Sequence, residues 1–226
     1  MRKPIKDRLQ AIRTTISVSA KEPDYAQDDI PLPFKIGSLF LVMSYDVKYS
    51  KLEKAIKNFF AGKYVVHMAK DYMQDILGCI CEKINEADFG IVVLAGLKYT
   101  KGIKKYHVKM NIAFEYGMFK ILDKPVMLIC EDKLNLDVDK EFSDIKSENY
   151  GETFSLKKPV AQIEKRIGEV FNKFIPELAK KTATRTLDEL AKKHADFPYS
   201  KRGTLLKHYK TQYEIQIRSD FEEKTG

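Results

Sequence analysis

Two kinds of apolar pattern alternate along this chain. Short continuous apolar runs, such as residues 38–43, lie between glycine and polar residues and predict strands that are covered on both faces. Between these runs lie longer segments in which apolar residues recur every three or four positions, which is typical of amphipathic helices. The predicted strands are residues 38–43, 64–68, 89–94, 126–130 and 153–156.

The segments with helical spacing follow the predicted strands one by one. Residues 108–122 differ from the other segments, because apolar side chains occur on nearly every side of this predicted helix, and we expect it to be buried. Weaker helical patterns occur at the two ends of the chain, where a polar, proline-bearing stretch follows the first of them. The predicted core helices are residues 49–60, 71–86, 108–122 and 160–178.

Strands that alternate with helices predict an α/β fold with a parallel sheet and helices on both faces. We expect a flavodoxin-like, doubly wound sheet of about five strands with the order 2-1-3-4-5. The predicted domains are an N-terminal helix and linker at residues 1–33, the α/β domain at 34–178, and a basic helical C-terminal extension at 179–226.

Composition and charge narrow the expected location and partners. The sequence has no apolar run long enough to cross a bilayer and no signal-peptide core near its first residues, so we expect a cytoplasmic protein that does not bind membranes. Three cysteines and four histidines show no zinc-type spacing, and the cysteines are expected to be reduced. The net charge of +8 favours a lysine-rich solvated surface over nucleic-acid binding. The terminal extensions predict a homo-oligomer or a partner protein.

One carboxylate stands in an apolar stretch of the chain. Glu115 lies within residues 111–117, where Ile, Ala, Phe and Tyr surround it. A carboxylate in such surroundings loses hydration unless it is hydrogen-bonded or its pKa rises. Asn111 precedes it by four residues and is predicted to share its helix face. Gly117 would let a neighbouring backbone or a ligand approach closely.

The predicted strand order places this helix beside a crevice. In doubly wound sheets, ligands bind outside the carboxyl ends of the strands where the strand order reverses, here between the first and third strands. Ser44, Tyr45 and Asp46 follow the first strand, and Gly96 follows the third. Glu115 could there bind a ribose diol, stabilise positive charge at an anomeric carbon, or attack that carbon. A structural glutamate held by lysine or backbone donors is the alternative.

Four segments in order resemble a known family. They are Leu-Phe-Leu-Val-Met-Ser at residues 39–44, Ala-Asp-Phe-Gly-Ile-Val-Val at 87–93, Asn-Ile-Ala-Phe-Glu-Tyr-Gly at 111–117 and Asp-Lys-Pro-Val-Met-Leu-Ile at 123–129. Together they resemble the bacterial TIR-like nucleotide-binding proteins, which are related in fold to nucleoside 2-deoxyribosyltransferases. The resemblance covers roughly residues 36–156 and implies that Glu115 is the catalytic glutamate. Lys109 and Met110 stand where deoxyribosyltransferases carry an aspartate and a glycine, which favours the TIR-like alternative.

Three functions follow from this resemblance as expectations. The first is cleavage of the nicotinamide N-glycosidic bond of NAD, with NAD as substrate rather than cofactor, in a bacterial defence system. The second is a nucleoside or nucleotide N-glycosidase or 2-deoxyribosyltransferase with Glu115 as nucleophile, for which Asp46 or Asp88 would have to protonate the leaving base. The third is a catalytically silent module that senses a nucleotide or binds a protein.

Overall fold

A parallel sheet with helices on both faces forms the body of the protein. The computed structural model describes residues 37–72, 76–94, 109–131, 152–194 and 197–222. The strands are β1 (Ser38–Val42), β2 (Val65–Met68), β3 (Phe89–Leu94), β4 (Val126–Glu131) and β5 (Glu152–Phe154), in the order β2-β1-β3-β4-β5. The helices are α1 (Ser50–Phe60), α2 (Ile76–Glu86), α3 (Met110–Ile121), α4 (Val160–Lys193) and α5 (Arg202–Glu222).

The α/β class, the parallel pairing and the strand order are confirmed by the structure. The prediction of about five strands is corrected to four full strands of four to six residues. The fifth, β5, is a segment of only three residues that pairs with the end of β4 at one edge of the sheet. The sequence predicts this strand at residues 153–156, and the structure has it at Glu152–Phe154.

The two faces of the sheet carry separate apolar cores. Successive side chains of a strand point to opposite faces. Leu39 and Leu41 therefore join the core under α1, α4 and α5, whereas Phe40 and Val42 join the core under α2 and α3. Burial on both faces explains why these strands read as continuous apolar runs.

Gly90 allows α3 to lie close to the sheet. A Cβ atom at this position of β3 would lie 2.7 Å from the Cζ atom of Phe119, which is fully buried on α3. The aromatic ring therefore occupies the space that any larger residue at position 90 would need. This contact sets the distance between the sheet and the helix that carries Glu115.

The C-terminal helices pack on the same core as the sheet. Helix α4 is a single helix of 34 residues, so the predicted boundary at 178/179 falls inside it. Residues of α5 are buried against it, and the hydroxyl groups of Thr186 and Tyr213 form a buried hydrogen bond of 2.8 Å. The predicted N-terminal helix and linker at 1–33 lie outside the described residues. No helix that the structure describes is both long and apolar enough to cross a membrane.

Asp88 joins α4 to the amino-terminal ends of the strands. Its carboxylate accepts hydrogen bonds from the backbone amides of Gly37 and Ser38 at 2.8 and 3.1 Å, and from the Arg185 guanidinium at 2.9 Å. Both carboxylate oxygens therefore accept hydrogen bonds within the fold. Asp88 is therefore a structural residue at the opposite end of the strands from the predicted crevice.

Candidate functional site

Helix α3 brings Glu115 to the carboxyl ends of β1 and β3. These two strands are neighbours, and β2 lies on the other side of β1, so the strand order reverses here as in other doubly wound sheets. Glu115 lies between Ile112 and Phe119, at helical spacing on the face that packs against the sheet. Because this face of α3 packs against the sheet, the charged side chain of Glu115 lies inside the protein.

Glu115 is a buried carboxylate that lacks a hydrogen-bond partner among the described residues. Only 3% of its surface is exposed. Burial raises its pKa from the ordinary value of 4.5 to about 7, and no described cation counteracts this effect. Such a perturbed carboxylate at a strand-order reversal is a candidate functional group, because burying it without a partner costs stability.

The prediction that α3 is buried on all sides is wrong. Met110, Phe114 and Ile121 are exposed by 87%, 46% and 80%, whereas Ile112 and Phe119 are completely buried. A helix that lies on a sheet buries only the stripe that faces it, and apolar residues outside that stripe remain exposed. The site therefore has an apolar, solvent-exposed neighbourhood.

Tyr45, three residues after β1, lies within reach of the charge of Glu115. Its hydroxyl oxygen accepts a hydrogen bond of 3.1 Å from the backbone amide of Lys70, and the Lys70 ammonium lies 5.7 Å from the centre of its ring. Burial and then the nearby charge of Glu115 raise the pKa of Tyr45 to about 12. Because 42% of Tyr45 is exposed, a fixed aromatic surface is available next to the buried carboxylate.

Ser44 is buried at the end of β1 and binds a lysine that the sequence analysis did not select. The Lys109 ammonium donates a hydrogen bond of 2.7 Å to the Ser44 hydroxyl oxygen, which also accepts from the Asp46 amide at 3.4 Å. Lys109 directly precedes α3 and is exposed, whereas Ser44 is 2% exposed. The sequence signal that could have identified Lys109 as a site residue is its position directly before the helix that carries Glu115.

The other predicted site residues are less buried than Glu115 or lie outside the described residues. Asp46 is exposed, and its carboxylate accepts a 3.2 Å hydrogen bond from the Lys48 amide, so it caps a short 3-10 turn. Asn111 is exposed in the first turn of α3 and does not share the burial of Glu115. No described atom lies within 4 Å of a hypothetical Cβ at Gly117, so the space beside this residue is open. Gly96 lies outside the described residues.

A polar cleft of about 240 Å³ lies at the other end of the sheet. Two ion pairs lie among its charged residues, Arg185 with Asp88 and Lys181 with Asp123. Within the described ranges, no group of three or more His, Cys, Asp or Glu side chains could hold a metal ion. The cleft therefore has the character of a structural ion-pair network around the start of β3.

Comparison with protein-family models, curated proteins and solved structures found no match for this chain. The fold and the geometry of the site therefore define a class only: a parallel α/β protein with a buried glutamate at the strand-order reversal.

Proposed function

We propose that this protein is a TIR-like enzyme that hydrolyses the N-glycosidic bond between nicotinamide and ribose in NAD. The observation that supports the proposal most is Glu115, a carboxylate that is 3% exposed at the carboxyl ends of β1 and β3. Its pKa of about 7 means that a substantial fraction is ionised near neutral pH. An ionised carboxylate in a dry site strongly stabilises a developing positive charge.

The chemistry needs only one carboxylate. As the bond between the ribose C1′ and the nicotinamide nitrogen breaks, its electron pair neutralises the pyridinium ring, and positive charge develops on the ribose. Glu115 accepts hydrogen bonds from the ribose hydroxyls and stabilises this charge. Water then adds to C1′ and loses a proton, which gives ADP-ribose, nicotinamide and one proton.

Tyr45 suits the leaving group in this scheme. An aromatic ring attracts a cation above its face, and nicotinamide is cationic until the bond breaks. The hydrogen bond from the Lys70 amide fixes the Tyr45 ring while leaving part of it exposed. We assign Tyr45 to stacking with the pyridinium ring, which would hold C1′ beside Glu115.

The position of Asp88 weighs against the alternative of a nucleoside N-glycosidase or deoxyribosyltransferase. A purine leaving group needs a second acid, and Asp88 was one of two candidates. Asp88 binds Ser38 at the start of β1, whereas Ser44 follows its end, so about 20 Å separates them at about 3.3 Å per residue. The other candidate, Asp46, is exposed and caps a turn. The third alternative, a catalytically silent module that senses a nucleotide or binds a protein, requires no acid.

Base release distinguishes the three alternatives. Purified wild-type protein, Glu115→Gln and Glu177→Gln are incubated with NAD and with a panel of nucleosides, while nicotinamide or free base is quantified by chromatography. Glu177 is a matched control, because burial also raises its pKa although it lies on α4. We expect nicotinamide release that Glu115→Gln lowers by about a hundredfold or more, while Glu177→Gln retains it.

The outcomes of this assay have distinct meanings. Release from nucleosides alone would favour the second alternative, and nucleotide binding without any release would favour the third. Either result contradicts NAD hydrolysis. The oligomeric state of each sample is measured by light scattering, so that an inactive monomer is compared with any assembled form.

A further inference from the structure

We propose that Lys109 and Ser44 form a phosphate subsite, so that the ribose held by Glu115 must carry a 5′-phosphate. This inference rests on the proposed function, because it specifies which substrates the same site accepts. The ligand class is a nucleotide rather than a nucleoside, and the discriminating group is the phosphate on the ribose that loses its base.

Lys109 is positioned and retains donors for a ligand. An ammonium group has three N–H donors, and one of them goes to the Ser44 hydroxyl oxygen at 2.7 Å. Within the described part of the chain, no carboxylate forms an ion pair with Lys109. Ser44 is buried and therefore restricts the otherwise flexible lysine, so that binding a ligand costs less side-chain entropy.

The start of α3 adds backbone donors at the same place. Lys109 is the N-cap residue of this 12-residue helix, and its side chain makes no capping hydrogen bond. The first amide groups of a helix have no partner within the helix and carry partial positive charge. Met110, Asn111 and Ile112 supply these groups directly after the Lys109 ammonium. Together they favour an anion such as a phosphate.

Glu115 gives an independent reason to expect a ligand here. It is 3% exposed, and none of the residues that the structure describes donates a hydrogen bond to its carboxylate. The two hydroxyls of a ribose would supply donors. Lys109 precedes Glu115 by six residues, which is about 9 Å along the helix axis. Adjacent ribose and phosphate groups of one nucleotide suit two such neighbouring positions.

Two ligands that differ only in the phosphate test the inference. Nicotinamide mononucleotide and nicotinamide riboside are titrated by calorimetry into the full chain, in the Glu115→Gln background so that both remain intact. The same titrations are made after Lys109→Met and, as a matched control from the other end of α3, after Lys120→Met. Thermal unfolding is recorded for each variant to show that it is folded.

We expect the mononucleotide to bind about tenfold or more tightly than the riboside, since hydrogen bonds to charged groups are worth at least that factor. Lys109→Met should remove most of this preference by weakening mononucleotide binding alone, and Lys109→Arg should restore part of it. Lys120→Met should leave the preference unchanged. The inference would be overturned by equal affinities for the two ligands in the Glu115→Gln background, by a preference that survives Lys109→Met, or by no binding of either ligand.

Activity assays separate this inference from the proposed function. If the wild-type chain releases nicotinamide from both compounds with the same kcat/KM, NAD-type hydrolysis stands and the phosphate subsite falls. If the Lys109-dependent preference is found but no nicotinamide is released, the subsite stands and the proposed hydrolysis falls.

Discussion

Replacing Glu115 by glutamine removes a charge that folding buries while nearly preserving the shape of the side chain. The folded protein holds the pKa of Glu115 at about 7, above its ordinary value of 4.5, because burial disfavours the ionised form. The folded state therefore keeps a proton over a pH range in which the unfolded chain has lost it. The stabilisation contributed by the neutral carboxyl is complete below about pH 4.5 and is lost as the pH rises through about 7.

The size of this effect follows from the two pKa values. A change from 4.5 to about 7 corresponds to about 3 kcal/mol, at about 1.4 kcal/mol per pH unit. Glutamine carries no charge at any pH and does not incur this cost. We therefore expect Glu115→Gln to exceed the wild type in free energy of unfolding by up to about 3 kcal/mol above pH 8, and to match it within about 1 kcal/mol near pH 5.

Urea unfolding followed by circular dichroism between about pH 5 and about pH 8 measures this difference. Glu53→Gln provides a control of opposite sign. Burial tends to raise the pKa of Glu53, but hydrogen bonds from Lys70 and Lys57 outweigh it and hold this pKa below its ordinary value. That variant should be less stable than the wild type at neutral pH and approach it as the pH falls.

A constant stability difference between Glu115→Gln and the wild type across this pH range would refute the reasoning. So would a Glu115→Gln variant that is less stable than the wild type at high pH, since this would mean that the ionised carboxylate has a favourable partner in the folded protein. Agreement of the Glu53 control would show that the pH series itself is sound.

Three further changes, the first with a control substitution, test the architecture around the site. Gly90→Ala should lower the free energy of unfolding by about 1–3 kcal/mol, because the new methyl group would lie 2.7 Å from the Phe119 ring. As a control, Gly117→Ala on α3, the helix that carries Phe119, meets no atom within 4 Å and should raise the free energy of unfolding by about 0.5–1 kcal/mol. Asp88→Asn should cost about 1.5–3 kcal/mol through its charged hydrogen bonds, while nicotinamide release by the remaining folded protein is unchanged. Tyr213→Phe should cost about 0.5–1.5 kcal/mol, because it removes the 2.8 Å hydrogen bond to Thr186, whose hydroxyl still donates to the Thr182 carbonyl oxygen. Urea unfolding measures the changes in stability, and chromatography measures nicotinamide release.

Each of these changes has a result that would contradict its premise. A Gly90→Ala chain as stable as the wild type would show that the Phe119 ring can move away from β3. Loss of nicotinamide release in folded Asp88→Asn would place Asp88 in the chemistry rather than at the far edge. A neutral Tyr213→Phe would mean that the contact between α4 and α5 does not depend on this hydrogen bond.

The strands were predictable because burial on both faces leaves a local signature. Residues 89–94 were predicted as a strand and are β3, and residues 126–130 correspond to β4 with one residue added. The exposed side of α3 could not be predicted in this way. An apolar residue such as Met110 or Ile121 has the same local pattern whether or not another element covers it, so its exposure depends on the packing of the whole domain.

In the candidate site too, the sequence predicts some features, and others depend on contacts between distant residues. The apolar residues around Glu115 predicted a buried carboxylate, and the predicted strand order placed it at the crevice. The bond from Lys109 to Ser44 joins residues 65 positions apart, and the bond from Arg185 to Asp88 joins residues 97 positions apart. No local pattern encodes such pairs, so Lys109 was not selected as a site residue and Asp88 remained a candidate acid.

The amino-acid sequence by itself determined the alternation of strands and helices, the parallel α/β class and the burial of Glu115, because each depends on the spacing of apolar residues along a short segment. Only the tertiary structure decided which polar groups meet. It placed Tyr45 within reach of the charge of Glu115, it joined Lys109 to Ser44, and it placed Asp88 at the amino-terminal ends of the strands. The physical reason is that hydrogen bonds and desolvation act over a few ångströms in space, whatever the separation along the chain.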